Sequence, residues 1–219
     1  KKNRPLPAGL LTIPQAGITG VLCLGCGAFL ALWLDQAVAG VLAVYLLMNV
    51  FYSLWGKNII ILDTMLIAVG FVLRVLAGAY AIAVPPSSWM LVATFFLALL
   101  LGMGKRYNEL RVMQEDSASH REVLDEYNEP LLRQLFAVAS SATVVAYALY
   151  TMDPAVIHAF QTDNLVFTLP FVVFGVFRYL YLVFKHDLGG DPTELIYRDR
   201  TMLVTVILWV VSVVILIYG

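Results

Sequence analysis

The chain has 219 residues, of which 61% are hydrophobic and 13% charged, and its net charge is −1. A soluble domain carries about 25% charged residues, so the composition excludes a water-facing globule, and the near-neutral balance offers no footing for nucleic acid. The chain opens Lys1-Lys2-Asn3-Arg4-Pro5 with no small-residue cleavage pattern of a signal peptide, and it is expected to be a fragment of a longer protein.

Seven apolar stretches are predicted, from Leu10 to Leu34, Val38 to Trp55, Ile59 to Val84, Trp89 to Met103, Leu131 to Met152, Leu165 to Phe184 and Met202 to Tyr218. Most reach the ~20 residues that cross a ~30 Å hydrocarbon core. The second and fourth are short, and are expected to extend into their flanks or thin the membrane locally. The reading is an all-α, polytopic transmembrane bundle forming a single domain over residues 1–219. Cys23 and Cys26 form a C-x-x-C inside the first apolar run, where helix packing is expected rather than a redox or metal site. Gly17, Gly20, Gly25, Gly27, Gly40, Gly70 and Gly78 are expected to mark packing faces, since small residues let helices approach closely in lipid.

The connections alternate between two sides. One side holds the N-terminus, Gly56–Asn58, the Gly104–Pro130 loop and the Lys185–Thr201 loop; the other holds Asp35–Ala37, Pro85–Ser88 and Asp153–Asn164. Every Lys and Arg outside the spans falls on the first side, which the positive-inside rule makes cytoplasmic and which leaves Gly219 on the far side. Within the Gly104–Pro130 loop, Ser119-His120-Arg121-Glu122 reads as a capping box. Val123, Leu124, Tyr127 and Leu131 follow at helical spacing. A short interfacial helix and a solvated connector are both open there.

The strongest local signal is Lys185-His186-Asp187-Leu188-Gly189-Gly190-Asp191-Pro192-Thr193-Glu194, with Arg198-Asp199-Arg200 after it. Gly189 and Gly190 allow a turn that aims Asp187 and Asp191 at one ion. Mg²⁺ takes hard oxygen ligands, typically one or two carboxylates plus substrate phosphates; the bland alternative is a hydrated turn. Lys57, Lys105, Arg106, Lys1 and Arg4 lie at other loop roots on the same side, either anchoring helix ends or converging on one polyanion. Arg74 lies about 22 Å along its span from Ile59, past the midplane, where a charge needs an interior partner. An interior ion pair is expected there ahead of a catalytic role, with Asp63 too far along the helix to serve. Arg178, about 10 Å before Lys185, either contacts substrate or snorkels. His120, His158 and His186 have no metal-ligand spacing, and no phosphate loop, nucleophile elbow or zincin motif is present.

These residues resemble the UbiA superfamily of intramembrane prenyltransferases over essentially the whole chain. Lys1-Lys2-Asn3-Arg4-Pro5 is similar to the K-x-x-R-P that closes the family's first aspartate-rich motif, and Asp187-x-x-x-Asp191 resembles the second. Tyr52-Ser53-x-x-x-Lys57, Gly104-Lys105-Arg106-x-x-Glu109-Leu110 and Gly189-Gly190-Asp191-Pro192-Thr193-Glu194 look most like the branch that transfers phosphoribose to a lipid phosphate. The family has nine helices, and this chain starts just after the first motif, so two helices and half of a metal site are expected upstream.

The resemblance implies an enzyme that moves 5-phosphoribose from 5-phosphoribosyl diphosphate (PRPP) to a polyprenyl phosphate, releasing diphosphate. It implies Mg²⁺ on Asp187 and Asp191, with Lys57 beside them as the third catalytic residue. Lys1, Arg4, Tyr52, Lys105, Arg106, Glu109, Arg178, Arg198 and Arg200 are the implied substrate-binding set. The implied location is the inner (cytoplasmic) membrane with the active site facing the cytoplasm, and homo-oligomerisation is left open. Prenyl transfer from a prenyl diphosphate to an aromatic or other acceptor is one alternative; a non-enzymatic transporter or lipid-binding protein is the other.

Overall fold

The computed structural model describes residues 9–115, 127–186 and 192–219. Lys1, Arg4, Asp187, Asp191, His120 and the Ser119–Glu122 capping box lie outside the described residues. Among those described, helices account for the regular structure: α1 (Ile13–Leu34), α2 (Gln36–Leu54), a 3-10 turn Gly56–Asn58, α3 (Leu62–Ala81), α4 (Ser88–Glu115), α5 (Glu129–Met152), α6 (Pro154–Phe160), a 3-10 turn Asn164–Thr168, α7 (Leu169–His186), α8 (Pro192–Arg198) and α9 (Arg200–Tyr218). Seven of these segments are long and apolar enough to cross a membrane, in agreement with the sequence. The chain is an integral membrane protein. The end carrying Lys57, Lys105 and Lys185 is termed the basic face and the end carrying Asp35, Asp153 and Asp163 the acidic face.

Local chemistry sets the boundaries. Thr12 caps α1 in a reciprocal box with Gln15, and Pro14 sits in the first turn, where its missing N–H costs nothing. Asp35 caps α2, Asn128 caps α5 through Leu131 N at 2.8 Å, and Asp199 caps α9 through Met202 N at 2.7 Å. Tyr127 therefore precedes the helix that contains Leu131, and the expectation that the two share one helical face is corrected. The fourth span extends into its flank, one of the two expected outcomes: α4 runs on from Met103 to Glu115. Hydropathy falls at Gly104, but Lys105, Arg106, Glu109 and Leu110 are good helix formers, so Lys105, Arg106 and Glu109 lie on a helix rather than in a loop. The short α6 and α8 were not anticipated.

The spans pack mainly against their chain neighbours, with α4 against α5 the most extensive contact. The core is concentrated where α3, α4, α5 and α7 meet, around Leu100, Met103, Leu132 and Val183. Towards the basic face it is closed by three rings set edge to face. The Tyr107–Phe184 centroids are 5.1 Å apart, Phe136–Phe184 5.0 Å and Tyr107–Phe136 6.3 Å. Each such pair adds ~0.5–1.5 kcal/mol beyond area burial. Of the span glycines, only Gly70 packs closely, with Met48 Cε 3.2 Å from where its Cβ would stand. Gly17, Gly20, Gly25, Gly27, Gly40 and Gly78 face open space, so the packing-face expectation is corrected for them. Cys23 and Cys26 are free, but exposed on α1 rather than packed.

The α9 helix is tied to α7 at the basic face. Arg178 reaches Asp199 with Nε–Oδ1 3.2 Å and Nη2–Oδ2 2.6 Å, and the same carboxylate caps α9. Asp199→Ala should lose both functions and cost about 1–3 kcal/mol, whereas Asp199→Asn, which still caps, should cost less. Thermal unfolding of the two variants in detergent checks the order.

Candidate functional site

The basic-face ends of α3 and α4 enclose a buried polar cluster. Asp63, in the first turn of α3, is fully buried at 0% exposure, and Arg106 of α4 is 3% exposed. Arg106 Nε lies 2.7 Å from Asp63 Oδ2, but the N–H is not aimed along that line, so the contact is electrostatic rather than a hydrogen bond. The guanidinium also pairs with Glu109, one turn on along α4. Tyr127 completes the cluster from the start of α5. Its hydroxyl donates to Asp63 Oδ1 at 2.9 Å and accepts the Ile61 N–H at 2.8 Å. Ile61 has φ 67°, a strained conformation for a β-branched residue, costing of order 1–3 kcal/mol. Tyr127 grips its amide, and Thr64 Oγ1 donates to its carbonyl at 2.8 Å. Burial, with the Asp63 charge next in weight, pushes the Tyr127 phenol up to about 12.

This geometry sorts the expected site residues. Arg106 is engaged by two carboxylates, Asp63 and Glu109. Arg178 is held by Asp199 at 2.6 Å rather than reaching alone to the membrane surface. Arg74 has no ion pair among the described residues. It is exposed on the α2–α3 face, where Nη2 donates to Tyr45 Oη at 2.5 Å and the guanidinium stacks on the Tyr45 and Phe71 rings at 5.0 and 4.9 Å. The interior ion pair is thus corrected: Phe71, one turn back on α3, and Tyr45 of α2 are what this face presents to the side chain.

Arg198 makes a surface pair with Glu194 at 2.5 Å, a contact worth little and easily released. Lys57 is half-buried, and Lys105 and Arg200 are exposed; none of the three has an ion pair among the described residues. Tyr52 lies within electrostatic reach of Arg106, which brings the end of α2 to this cluster. No group of three His, Cys, Asp or Glu able to hold a metal occurs among the described residues.

A second feature was not foreseen. An apolar slot of about 490 Å³ runs between α4, α5, α7 and α9. Along α9 it extends from Met202, next to the Arg178–Asp199 tie, to Ile217 near the acidic face. That distance is about 22 Å at 1.5 Å per residue. The lining hydroxyls of Thr94, Thr143 and Thr205 are turned back onto carbonyls of their own helices at 2.8, 2.7 and 2.8 Å. These three threonines therefore present methyl groups to the slot, whose remaining polar side chains are Tyr147, Tyr150 and Trp209. The only signal for it in the sequence is the run of Thr, Tyr and Trp within apolar spans.

The UbiA prenyltransferase family profile matches residues 1–197. The chain is 30% identical over 224 residues to the decaprenyl-phosphate phosphoribosyltransferase of Corynebacterium glutamicum, covering 100% of this chain and 66% of that protein. It is 28% identical to proteins of the same name from Mycolicibacterium smegmatis and Mycobacterium tuberculosis, covering 96% and 97% of this chain and 68% and 69% of theirs. The chain thus spans about two thirds of the length of these relatives.

Asp63→Asn should leave Arg106 short of its buried counter-charge and cost about 3–5 kcal/mol, while the double variant Asp63→Asn/Arg106→Met should recover most of that loss; detergent melting curves give the comparison. For Tyr127 the folded pKa of about 12 lies above the ordinary value of 10.0. The folded protein thus holds the proton between those values, and the tyrosine's stabilisation, complete below pH 10, is lost as pH rises through about 12. Tyr127→Phe should flatten that alkaline loss when stability is followed against pH.

Proposed function

Since the chain belongs to the UbiA prenyltransferase family, we propose that it forms the core of an enzyme transferring 5-phosphoribose from PRPP to a polyprenyl phosphate of the decaprenyl type. The supporting observation is the apolar slot. Its inner end lies beside the basic face, so a lipid whose tail enters the slot carries its phosphate among the cations. The names of the relatives supply the transferred phosphoribosyl group and the decaprenyl phosphate, and PRPP is the donor proposed for it. The basic face is taken as cytoplasmic, in an inner membrane, by the positive-inside asymmetry.

In this reading a phosphate oxygen of the lipid attacks C1 of the ribose, the C1–O bond to diphosphate breaks, and diphosphate leaves with the electron pair. The acceptor is already ionised at neutral pH, so it needs positioning rather than a general base. Lys57 and Lys105 are the cations offered to the diphosphate, with Arg200 and Arg198 at a second anionic position, because these are unpaired or weakly paired among the described residues. Asp187 and Asp191 have the hard carboxylate oxygens that Mg²⁺ takes, whereas the buried Asp63 and the partly exposed Glu109 pair with Arg106. Mg²⁺ held there would neutralise charge on the leaving group. Lys1 and Arg4 belong to the same proposed donor site.

The test uses full-length protein in nanodiscs with labelled PRPP, polyprenyl phosphate and Mg²⁺. Lipid-extractable label that requires Mg²⁺ and disappears in Asp191→Asn is the expected result. Lys57→Met and Lys105→Met should each lower kcat/KM about 10- to 100-fold, the loss of one charged contact. Label entering lipid only from a prenyl diphosphate donor would move the activity to prenyl transfer, and Mg²⁺-independent lipid binding without transfer would make the chain a lipid-binding protein.

A further inference from the structure

The turn between Lys57 and α3 breaks two local rules at one residue. Ile61 has φ 67° and ψ −45°, and the Leu62 N–H donates to Ile60 O at 2.7 Å across it. This is a γ-turn of the rare positive-φ kind, which a β-branched residue adopts only under strain. Ile61 also stands at the cap position of α3 and offers no side-chain cap, where Ser, Thr, Asp or Asn is preferred. A residue held against both preferences persists only if its surroundings over-determine it. Its carbonyl accepts the Met65 N–H at 2.9 Å and the Thr64 hydroxyl at 2.8 Å, both from α3 itself. The partner of its N–H is not local: Tyr127 Oη, 66 positions away, accepts it at 2.8 Å.

We propose that Tyr127 is a positioning residue of the donor site, acting through the Ile61 turn to set where Lys57 stands. The inference rests on the reading that Lys57 is offered to the diphosphate of the donor. Lys57 lies in a short stretch with an anchor at each end. Gly56 is pressed against Leu66 of α3 with no room for a Cβ, and Ile61 is gripped by Tyr127. Between these anchors Ile60 packs on the core, and Ile59 O accepts the Asp63 N–H at 3.1 Å.

The start of α3 cannot yield in place of the turn. Asp63 is paired with Arg106 and accepts the same Tyr127 hydroxyl at 2.9 Å. A change in φ is a rotation about the N–Cα bond, so relaxing Ile61 to about −60° turns the chain before it by roughly 130° relative to α3. With Gly56 pinned, residues 57–60 absorb that rotation, and the Lys57 ammonium moves with them. A displacement of about 1 Å at a reacting centre is enough to cost up to about 100-fold in rate. One hydroxyl thus serves two ends: it donates to the carboxylate that fixes α3 and accepts from the amide that fixes the lysine turn.

The experiment uses full-length protein in nanodiscs with labelled PRPP and polyprenyl phosphate. Tyr127→Phe keeps the ring and removes both bonds; it should lower kcat/KM for PRPP about 10-fold and leave KM for the lipid unchanged. Combined with Lys57→Met it should cost nothing beyond Lys57→Met alone, because its effect passes through that lysine. Ile61→Gly, at ease at positive φ, should restore part of the activity lost in Tyr127→Phe. A role confined to stability predicts losses that multiply in the Lys57→Met/Tyr127→Phe variant, and that result would overturn the proposal. Hydrogen exchange resolved to the residue gives a readout independent of the reaction. The Ile61 amide should exchange slowly in the unmodified protein and fast in Tyr127→Phe, with α4 and α5 unchanged. Fast exchange at Ile61 in the unmodified protein would overturn the latch even where Tyr127→Phe does not fold. No transfer from PRPP by unmodified protein whose Ile61 amide is protected would instead remove the donor reading, and the positioning role with it.

Discussion

The Asp63–Arg106 pair is the interaction on which the basic face is organised. Removing a carboxylate and a guanidinium from water costs several kcal/mol per ion, and an electrostatic contact at 2.7 Å offsets this only with further partners. Glu109 and Tyr127 supply them. The cluster thereby locks α3, α4 and the start of α5 together within one turn of each helix, and it holds Ile61 in a conformation that would otherwise relax. A bond between residues 64 positions apart is also what fixes the chain where it returns to the bundle at Tyr127.

That lock has a geometric consequence for the neighbouring cations. Successive residues on a helix lie about 100° apart, so drawing Arg106 inward forces Lys105 outward, where it is exposed. Lys57 is fixed against α3 by its neighbour in the turn. Gly56 is buried, and a Cβ there would stand 2.4 Å from Leu66 Cδ1, which shows how closely the turn lies on α3. Both lysines are thus positioned relative to the first turns of α3. Of the arginines at this face, Arg106, Arg133 and Arg178 are engaged by carboxylates, whereas Lys57, Lys105 and Arg200 have no ion pair among the described residues.

The spans and their sidedness were legible in the sequence because each is a local property: some twenty apolar residues, and cations on one set of connections. Side-chain partnership was not. Arg178 and Asp199 are 21 positions apart, and whether they meet depends on how α7 and α9 are rotated. Arg74 illustrates the same limit, since its depth was readable but the ring faces beside it were not. Asp63 carried a usable signal, as an acid one turn inside an apolar span, and was considered only as a partner for Arg74. The fourth span extends into its flank, as the sequence allowed, but how far was not legible, because hydropathy reports where the bilayer stops, whereas the backbone continues in helix as long as its residues favour it.

The slot shows how an apolar site is built from residues that are not all apolar. Thr94, Thr143 and Thr205 have the volume of valine, and each buries its hydroxyl proton on a carbonyl one turn back. What faces the cavity is then chiefly methyl and methylene surface. A leucine-lined slot would be equally greasy, but could collapse as its long, unbranched-at-Cβ side chains changed rotamer. Short β-branched residues have few rotamers to change, and the hydrogen-bonded chain Trp209–Tyr147–Thr168 props the walls apart through bonds that would leave polar groups stranded if they broke. The space stays open because closing it would cost hydrogen bonds, while filling it with hydrocarbon costs none.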